Sequence, residues 1–283
     1  MSSFETVVPP PPHRAEEVGT AVSSSPGAWV LYEGSPAPGG EGPLATGPGW
    51  WSTNRVITEA EPVGFSHLSA NLALNPPLLV LTDADSTLFH EEAIDELARL
   101  AGVFDQVSKI TESAMRGEMG FDDSLRRRVA LLQGLPTSAF EEVGSQLTLA
   151  SGAAELITWT HSVGAQFGVV SGGFEEILRP LVQQLGVDYL LANRLEVEGE
   201  LLTGRTVGPV VNDRTKEQCV KQWSQGRADR VVAVGDGSND IRMLKAAGLG
   251  IAFCAKPAVR QAVSSQLNIR RLDAVVGLLG RTL

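Results

Sequence analysis

Four short apolar runs, at 78–81, 167–170, 231–234 and 250–253, alternate with amphipathic stretches of helical length, and this rhythm constrains the chain more than any other feature. Buried runs of four or five residues separated in this way are the pattern of βα units around a parallel sheet. Three of the runs end in polar groups. Asp83-Ala84-Asp85-Ser86-Thr87 follows the first, Ser171-Gly172-Gly173 the second, and Asp236-Gly237-Ser238-Asn239-Asp240 the third. Parallel strands bring their carboxyl ends to one edge, and ligands of open α/β sheets bind beyond that edge. The pattern predicts a doubly wound parallel α/β sheet with these three segments lining one pocket.

Between the first two runs lies a long interval with no strand pattern but four helical ones, at 92–100, 103–115, 125–132 and 139–147. It reads as a helical insertion over about 90–150, placed after the first core strand. Val197-Glu198-Gly199-Glu200-Leu201 has the glycine-centred signature of a hairpin, which predicts a small antiparallel extension. Upstream, residues 1–28 are rich in Pro, Ser and Glu, with too few large apolar groups to offset ordering entropy, and are expected to form a disordered arm. Residues 29–77 read as an irregular segment of unassigned role. They keep many Gly and Pro, yet Trp29, Leu31, Tyr32, Trp50, Trp51, Val56, Ile57 and Phe65 would suit short strands packed on the main domain at 78–283. Pro38-Gly39-Gly40-Glu41-Gly42-Pro43 lacks the preceding strand and following helix of a phosphate cradle and reads as a loop.

Several function classes are disfavoured. Acidic residues outnumber basic ones by 33 to 23 and no basic stripe stands out, which argues against nucleic acid and for a small ligand. Cys219 and Cys254 are far apart, with no CxxC or nearby His, so neither a disulfide framework nor a zinc site is expected. The chain shows no leader-like start and no run of 18 apolar residues, so it reads as cytoplasmic, neither exported nor membrane-spanning. Its oligomeric state is left open, a homodimer being the assembly considered.

The chemistry rests on the strand ends. Side chains two residues apart on extended backbone share a face, so Asp83 and Asp85 can converge on one ligand. Two carboxylates about 5 Å apart repel by roughly 3 kcal/mol at an effective dielectric of about 20, and a cation or a shared proton would relieve this. Asp83, Asp85, Asp236 and Asp240 supply the hard oxygens that Mg²⁺ prefers. Ser171 and the glycine amides after it can donate to phosphate oxygens, and Lys216 would balance the charge.

In order and spacing, the segments at 83–87, 170–174 and 235–240, with Lys216 between the last two, resemble the motifs of the haloacid dehalogenase superfamily. Within it the chain is similar to the phosphoserine phosphatase family. Further matches are Glu91 to Ala98, Ala114-Met115-Arg116-Gly117-Glu118, Phe121, Ser124 to Val129, and Ala252-Phe253-Cys254-Ala255-Lys256-Pro257. The resemblance implies a haloacid dehalogenase-like fold and hydrolysis of phosphoserine. It makes Asp83 the nucleophile and Asp85 the general acid and base, with Mg²⁺ held by Asp83, Asp236 and the backbone carbonyl of Asp85. Ser171, Gly172 and Lys216 would bind the phosphoryl oxygens. Glu92 would face the substrate ammonium and Arg128 its carboxylate, with Met115 and Phe121 as pocket walls. Asn239 would stand on the substrate side and Asp240 would support the site. The physics agrees: a guanidinium fork matches a carboxylate, and a carboxylate beside Asp83 has its pKa raised by like charge.

Taken alone, Arg126 and Arg127 compete with Arg128, and His90 reads as a residue of the cap hinge. Two other functions share much of this pattern. A phosphotransferase would pass the phosphoryl group to a hydroxyl such as that of homoserine, and a phospho-accepting signalling module would hold it without turnover. The second needs no large cap.

Overall fold

The computed structural model describes residues 28–35, 44–54 and 60–283. The arm expected at 1–28 lies outside them except for Ala28, as do the loop at 38–43 and the apolar pair Val56 and Ile57. The segment expected to be irregular carries four strands: β1 (Ala28–Glu33), β2 (Leu44–Gly47), β3 (Trp50–Thr53) and β4 (Gly64–His67). All their pairings are antiparallel. Aromatic and β-branched side chains fit a pleated, half-buried surface, and here they outweigh the high Gly and Pro content. Trp50, Tyr32 and Val30 are buried, and Gly49, at φ +75°, turns the chain between β2 and β3.

The main domain follows. Helix α1 (Ala70–Leu74) leads into β5 (Leu79–Thr82). Four helices come next: α2 (Ala93–Leu100), α3 (Phe104–Met115), α4 (Phe121–Ala130) and α5 (Ala139–Gln146). The chain then runs through α6 (Ala153–Ser162), β6 (Gln166–Phe174), α7 (Glu175–Gln184), β7 (Tyr189–Glu198) and β8 (Leu201–Val207). It continues with α8 (Asp213–Trp223), β9 (Val231–Gly235), α9 (Ile241–Ala246) and β10 (Leu249–Phe253). Helix α10 (Pro257–Ala262), β11 (Ser265–Leu267) and α11 (Ala274–Leu278) complete it.

The strands form one sheet in the order β2-β3-β1-β4-β11-β10-β9-β5-β6-β7-β8. From β11 to β7 every pairing is parallel, as the βα rhythm predicts. Strand β5 is central. Thr82 pairs with Val169 of β6 on one side and Val234 of β9 on the other. Strand order therefore reverses beside β5, and this opens a crevice at its carboxyl end. One sheet face packs Leu156, Leu178 and Val275 from α6, α7 and α11, and the other packs Val220 and Met243 from α8 and α9. Each such buried aliphatic side chain contributes roughly 1.5–3 kcal/mol.

Helices α2 to α5 form the cap inserted after the first core strand, with a core of their own around Leu97, Val107, Leu125, Val129 and Val143. The two chain crossings into the cap are tied together. His90 N–H donates to Thr148 O at 2.9 Å and Ala150 N–H to Leu88 O at 2.8 Å. The return crossing also meets the N-terminal strands through one buried carboxylate. Asp273 accepts from Trp50 Nε1 at 2.8 Å and from Arg271, while Leu272 N–H donates to Ser151 O at 2.8 Å. Gly152 sits at φ +77° against Asp273, where any side chain would overlap the carboxylate.

Candidate active site

The floor of the crevice is a chain of buried charges. Asp83 follows β5, and its N–H continues the ladder by donating to Val234 O at 3.0 Å. Its carboxylate accepts from Ala84 N–H at 2.7 Å and from Lys216 Nζ at 2.8 Å. The ammonium of Lys216 also donates to Asp240 Oδ1 at 2.7 Å, and Asp240 Oδ2 accepts Gly237 N–H at 3.0 Å. Lys216 and Asp240 are fully buried. Asn212 fixes the start of α8 by accepting from the N–H groups of Arg214 and Thr215, which sets Lys216 in the first turn. Burial alone would lower the Lys216 pKa, but Asp240 and Asp83 hold it above its ordinary value.

The acids beside it are pushed the other way. Burial first, then repulsion from Asp240, raises Asp83 well above the carboxylate range against the pull of Lys216. Burial and the same repulsion bring Asp236 to about 6. Asp85 rises to about 7, through burial and then the nearby charge of Glu92. Its Oδ1 accepts Ala93 N–H at 3.1 Å, so it also caps α2. Ser86 stands at φ +56°, a region costly for a residue with a side chain, and from there its Oγ donates to Glu92 Oε1 at 2.8 Å.

The cap roofs this floor over a cavity of about 470 Å³. Asp83, Asp85, Asp236 and Asn239 line its lower side, with Gly172 beside them. Glu92, Met115, Phe121 and Arg128 line the upper side. A Cβ on Gly172 would lie 2.8 Å from Phe121 Cζ, so the ring closes directly on the glycine turn. Ser171, Lys216 and Asp240 stand behind the surface, fully buried. Arg128 is buried, whereas Arg126 and Arg127 are exposed and Arg126 pairs with Asp123, which separates the three rival arginines. Arg128 donates to Ser124 O at 3.4 Å through Nε.

Residues 80–245 match the family model for haloacid dehalogenase-like hydrolases. The chain belongs to that family. Among relatives of this hydrolase, a phosphoserine phosphatase of Lactococcus lactis is 50% identical over 201 residues, 70% of this chain and 93% of that protein. A phosphoserine phosphatase of Mycobacterium tuberculosis is 42% identical over 264 residues, covering 92% of this chain and 63% of the relative. A solved phospho-aspartyl intermediate analogue of a phosphoserine phosphatase superposes with a TM-score of 0.67 at 41% identity, over 71% of this chain and 98% of the other. An unliganded Vibrio cholerae structure described as a probable phosphoserine phosphatase reaches a TM-score of 0.76 at 30% identity, over 89% and 86% of the two chains.

The donor set of this haloacid dehalogenase-like hydrolase fits a hard cation. Asp83, Asp236 and Asp240 offer carboxylate oxygens within 4.8 Å of one another. Both Asp240 oxygens are engaged by Lys216 and Gly237, while Asp83 and Asp236 face the cavity. The Asp85 carboxylate is not part of that cluster. All the donors are oxygens, and the buried acids exceed the one buried ammonium, so a divalent ion would relieve their repulsion. Lys256 was missed as a site residue: it lines the cavity, and its N–H donates to Asp236 O at 3.3 Å. It follows β10, so the strand-end rule that located the other three segments also points to it. Asp95, one turn into α2 and half-buried near Arg128, was also missed, because an acid in a helical first turn reads as ordinary. Among the described residues no helix is long and apolar enough to cross a membrane.

Proposed function

We propose that this chain hydrolyses O-phospho-L-serine to L-serine and phosphate through an aspartyl phosphate on Asp83, with Mg²⁺ as the cation. The observation that carries this reading is geometric: Asp83, held by a buried ammonium at 2.8 Å, and Asp85, held by Ala93 N–H at 3.1 Å, line one cavity. Asp83, whose ionised form Lys216 favours and a bound cation would favour further, attacks phosphorus, and protonated Asp85 gives its proton to the serine oxygen as the P–O bond to serine breaks. Asp85 then takes a proton from the water that attacks phosphorus, and the bond to Asp83 breaks. A group that titrates near working pH serves both steps. Ser171, Gly172 and Lys216 hold the phosphoryl oxygens, and Asp240 holds Lys216 in place.

When bound, Mg²⁺ would be held by Asp83, Asp236 and the Asp85 carbonyl and would supply charge neutralisation for the transferring phosphoryl group. In the cap, Arg128 binds the substrate carboxylate and Glu92 its ammonium. Asn239 stands on the substrate side of the floor, and Met115 and Phe121 exclude water. The relatives named phosphoserine phosphatase at 42% to 50% identity support the substrate.

The test is phosphate release from a panel of phosphorylated amino acids, with Mg²⁺ or with a chelator, and with homoserine present as an acceptor. Phosphoserine should be the best substrate, with phosphate released to water and activity lost to the chelator. Phosphorylated homoserine as product would identify a transferase, and a stable phosphoprotein without turnover a signalling module.

A further inference from the structure

The glycine turn at 171–173 is an interruption of the sheet. Strand β6 pairs Val170 with Leu191 of β7 and next pairs Phe174 with Asn193, so β6 spends extra residues between two consecutive matched pairs. A bulge of this kind takes backbone groups out of the ladder, and a carbonyl left unpaired there is costly. The Gly172 carbonyl is not left unpaired. Asn193, 2% exposed, donates to Gly172 O from Nδ2 at 2.8 Å. Its Oδ1 accepts Val211 N–H at 2.8 Å, one residue before the Asn212 that caps α8. One buried amide therefore ties the glycine turn to the start of the helix that carries Lys216.

The consequence reaches Ser171 through the peptide plane. In a trans peptide the carbonyl and the next N–H point in opposite directions, so fixing Gly172 O on Asn193 also fixes Gly173 N–H. That N–H donates to Ser171 Oγ at 2.8 Å. The Ser171 hydroxyl, which accepts that N–H, stands fully buried directly behind the cavity wall formed by Gly172 and Gly173 and retains its own proton as a donor. A Cβ on Gly173 would lie 2.7 Å from Asp85 Oδ2, so the turn packs directly on that carboxylate and leaves no room for a side chain.

We infer that Asn193 is a positioning residue for phosphoryl transfer, setting the Ser171 proton donor and the Lys216 helix at a fixed spacing. The inference rests on the reading of Ser171, Gly172 and Lys216 as the phosphoryl-binding group, and it is indifferent to what the cap recognises. In the sequence, Asn193 is a polar residue directly after the apolar stretch Tyr189-Leu190-Leu191-Ala192, and in the structure it lies midway along β7.

Asn193→Asp keeps the size and the acceptor for Val211 but sets an oxygen against Gly172 O. At about pH 8, kcat/KM should fall roughly 10- to 100-fold for phosphoserine and for an aryl phosphate alike, the range expected when donors are misplaced by a fraction of an ångström. Inhibition by vanadate should weaken in parallel. Burial and the Gly172 carbonyl opposite disfavour the ionised form of the new carboxyl, so the ratio of variant to unaltered enzyme should climb as pH falls towards about 5.5, where the protonated carboxyl regains the donor. Asn193→Ser, which adds no charge, is the second variant if the first fails to fold, and it should show a smaller fall of the same even kind. Unchanged activity and vanadate inhibition in a folded variant would overturn the inference. So would a loss confined to phosphoserine, or a pH-independent ratio for the Asp variant. If the unaltered enzyme prefers another phosphomonoester, the proposed substrate fails while this test stands on the aryl phosphate.

Discussion

The floor of the cavity and its roof are built differently. On the floor, Asp83, Lys216, Asp240 and Ser171 are each no more than 5% exposed and are locked by bonds of 2.7 to 3.0 Å from several strands and helices. On the roof, Met115 is 61% exposed, and the buried guanidinium of Arg128 rests on a single backbone carbonyl at 3.4 Å. Preorganised groups cost little reorganisation when charge develops, so they belong where the reaction occurs. A guanidinium whose donors are largely uncommitted belongs where a ligand carboxylate arrives. On the proposed reading, the contrast assigns catalysis to the floor and recognition to the roof.

The largest expected effect breaks the floor. Asp83→Asn removes the proposed nucleophile and should lower kcat by roughly 1,000-fold or more on every phosphomonoester, measured by steady-state phosphate release, as removal of a nucleophile does elsewhere. Comparable turnover in the variant would remove Asp83 from the reaction. A smaller and selective effect belongs to the roof. Arg128→Ala should raise KM for phosphoserine about 10-fold or more, the scale of a lost charged hydrogen bond, and spare a small aryl phosphate. Equal losses on both substrates would erase the distinction between the two regions.

The smallest effect concerns the acids of the floor. Asp236 near 6 and Asp85 near 7 lie above the unfolded value of about 3.9, so each binds its proton more tightly in the folded chain. The stability they contribute is fully present below about pH 4 and is lost as pH rises through about 6 to 7. A divalent cation held by ionised Asp83 and Asp236 offsets that loss. Thermal unfolding should therefore show Mg²⁺ raising Tm more at about pH 8 than at about pH 5. Equal shifts at both would put the cation elsewhere.

Much of this was legible beforehand. The apolar runs at 167–170, 231–234 and 250–253 lie within β6, β9 and β10, and that at 78–81 is offset from β5 by one residue. The helical patterns at 103–115 and 139–147 correspond to α3 and α5 within a residue, because an amphipathic period survives transfer from sequence to structure. Strand β11 was not legible. Its three residues, Ser265-Gln266-Leu267, carry no apolar run and pair only because β4 and β10 flank them. Aromatic and β-branched residues in the N-terminal segment suggest short strands but not their number or order, which come from burial against α11, where Ser52 and Ser66 donate to Gly277 O and Leu278 O.

Residue order alone determined the parallel core, the helical insertion after its first strand, and which segments stand at the carboxyl edge, since strand runs and helical periods are local properties. Tertiary structure decided which of three neighbouring arginines is buried, how Lys216 bridges Asp83 and Asp240, and that Asn193 holds the glycine turn. These depend on distances between residues remote in the chain, and no local pattern encodes them.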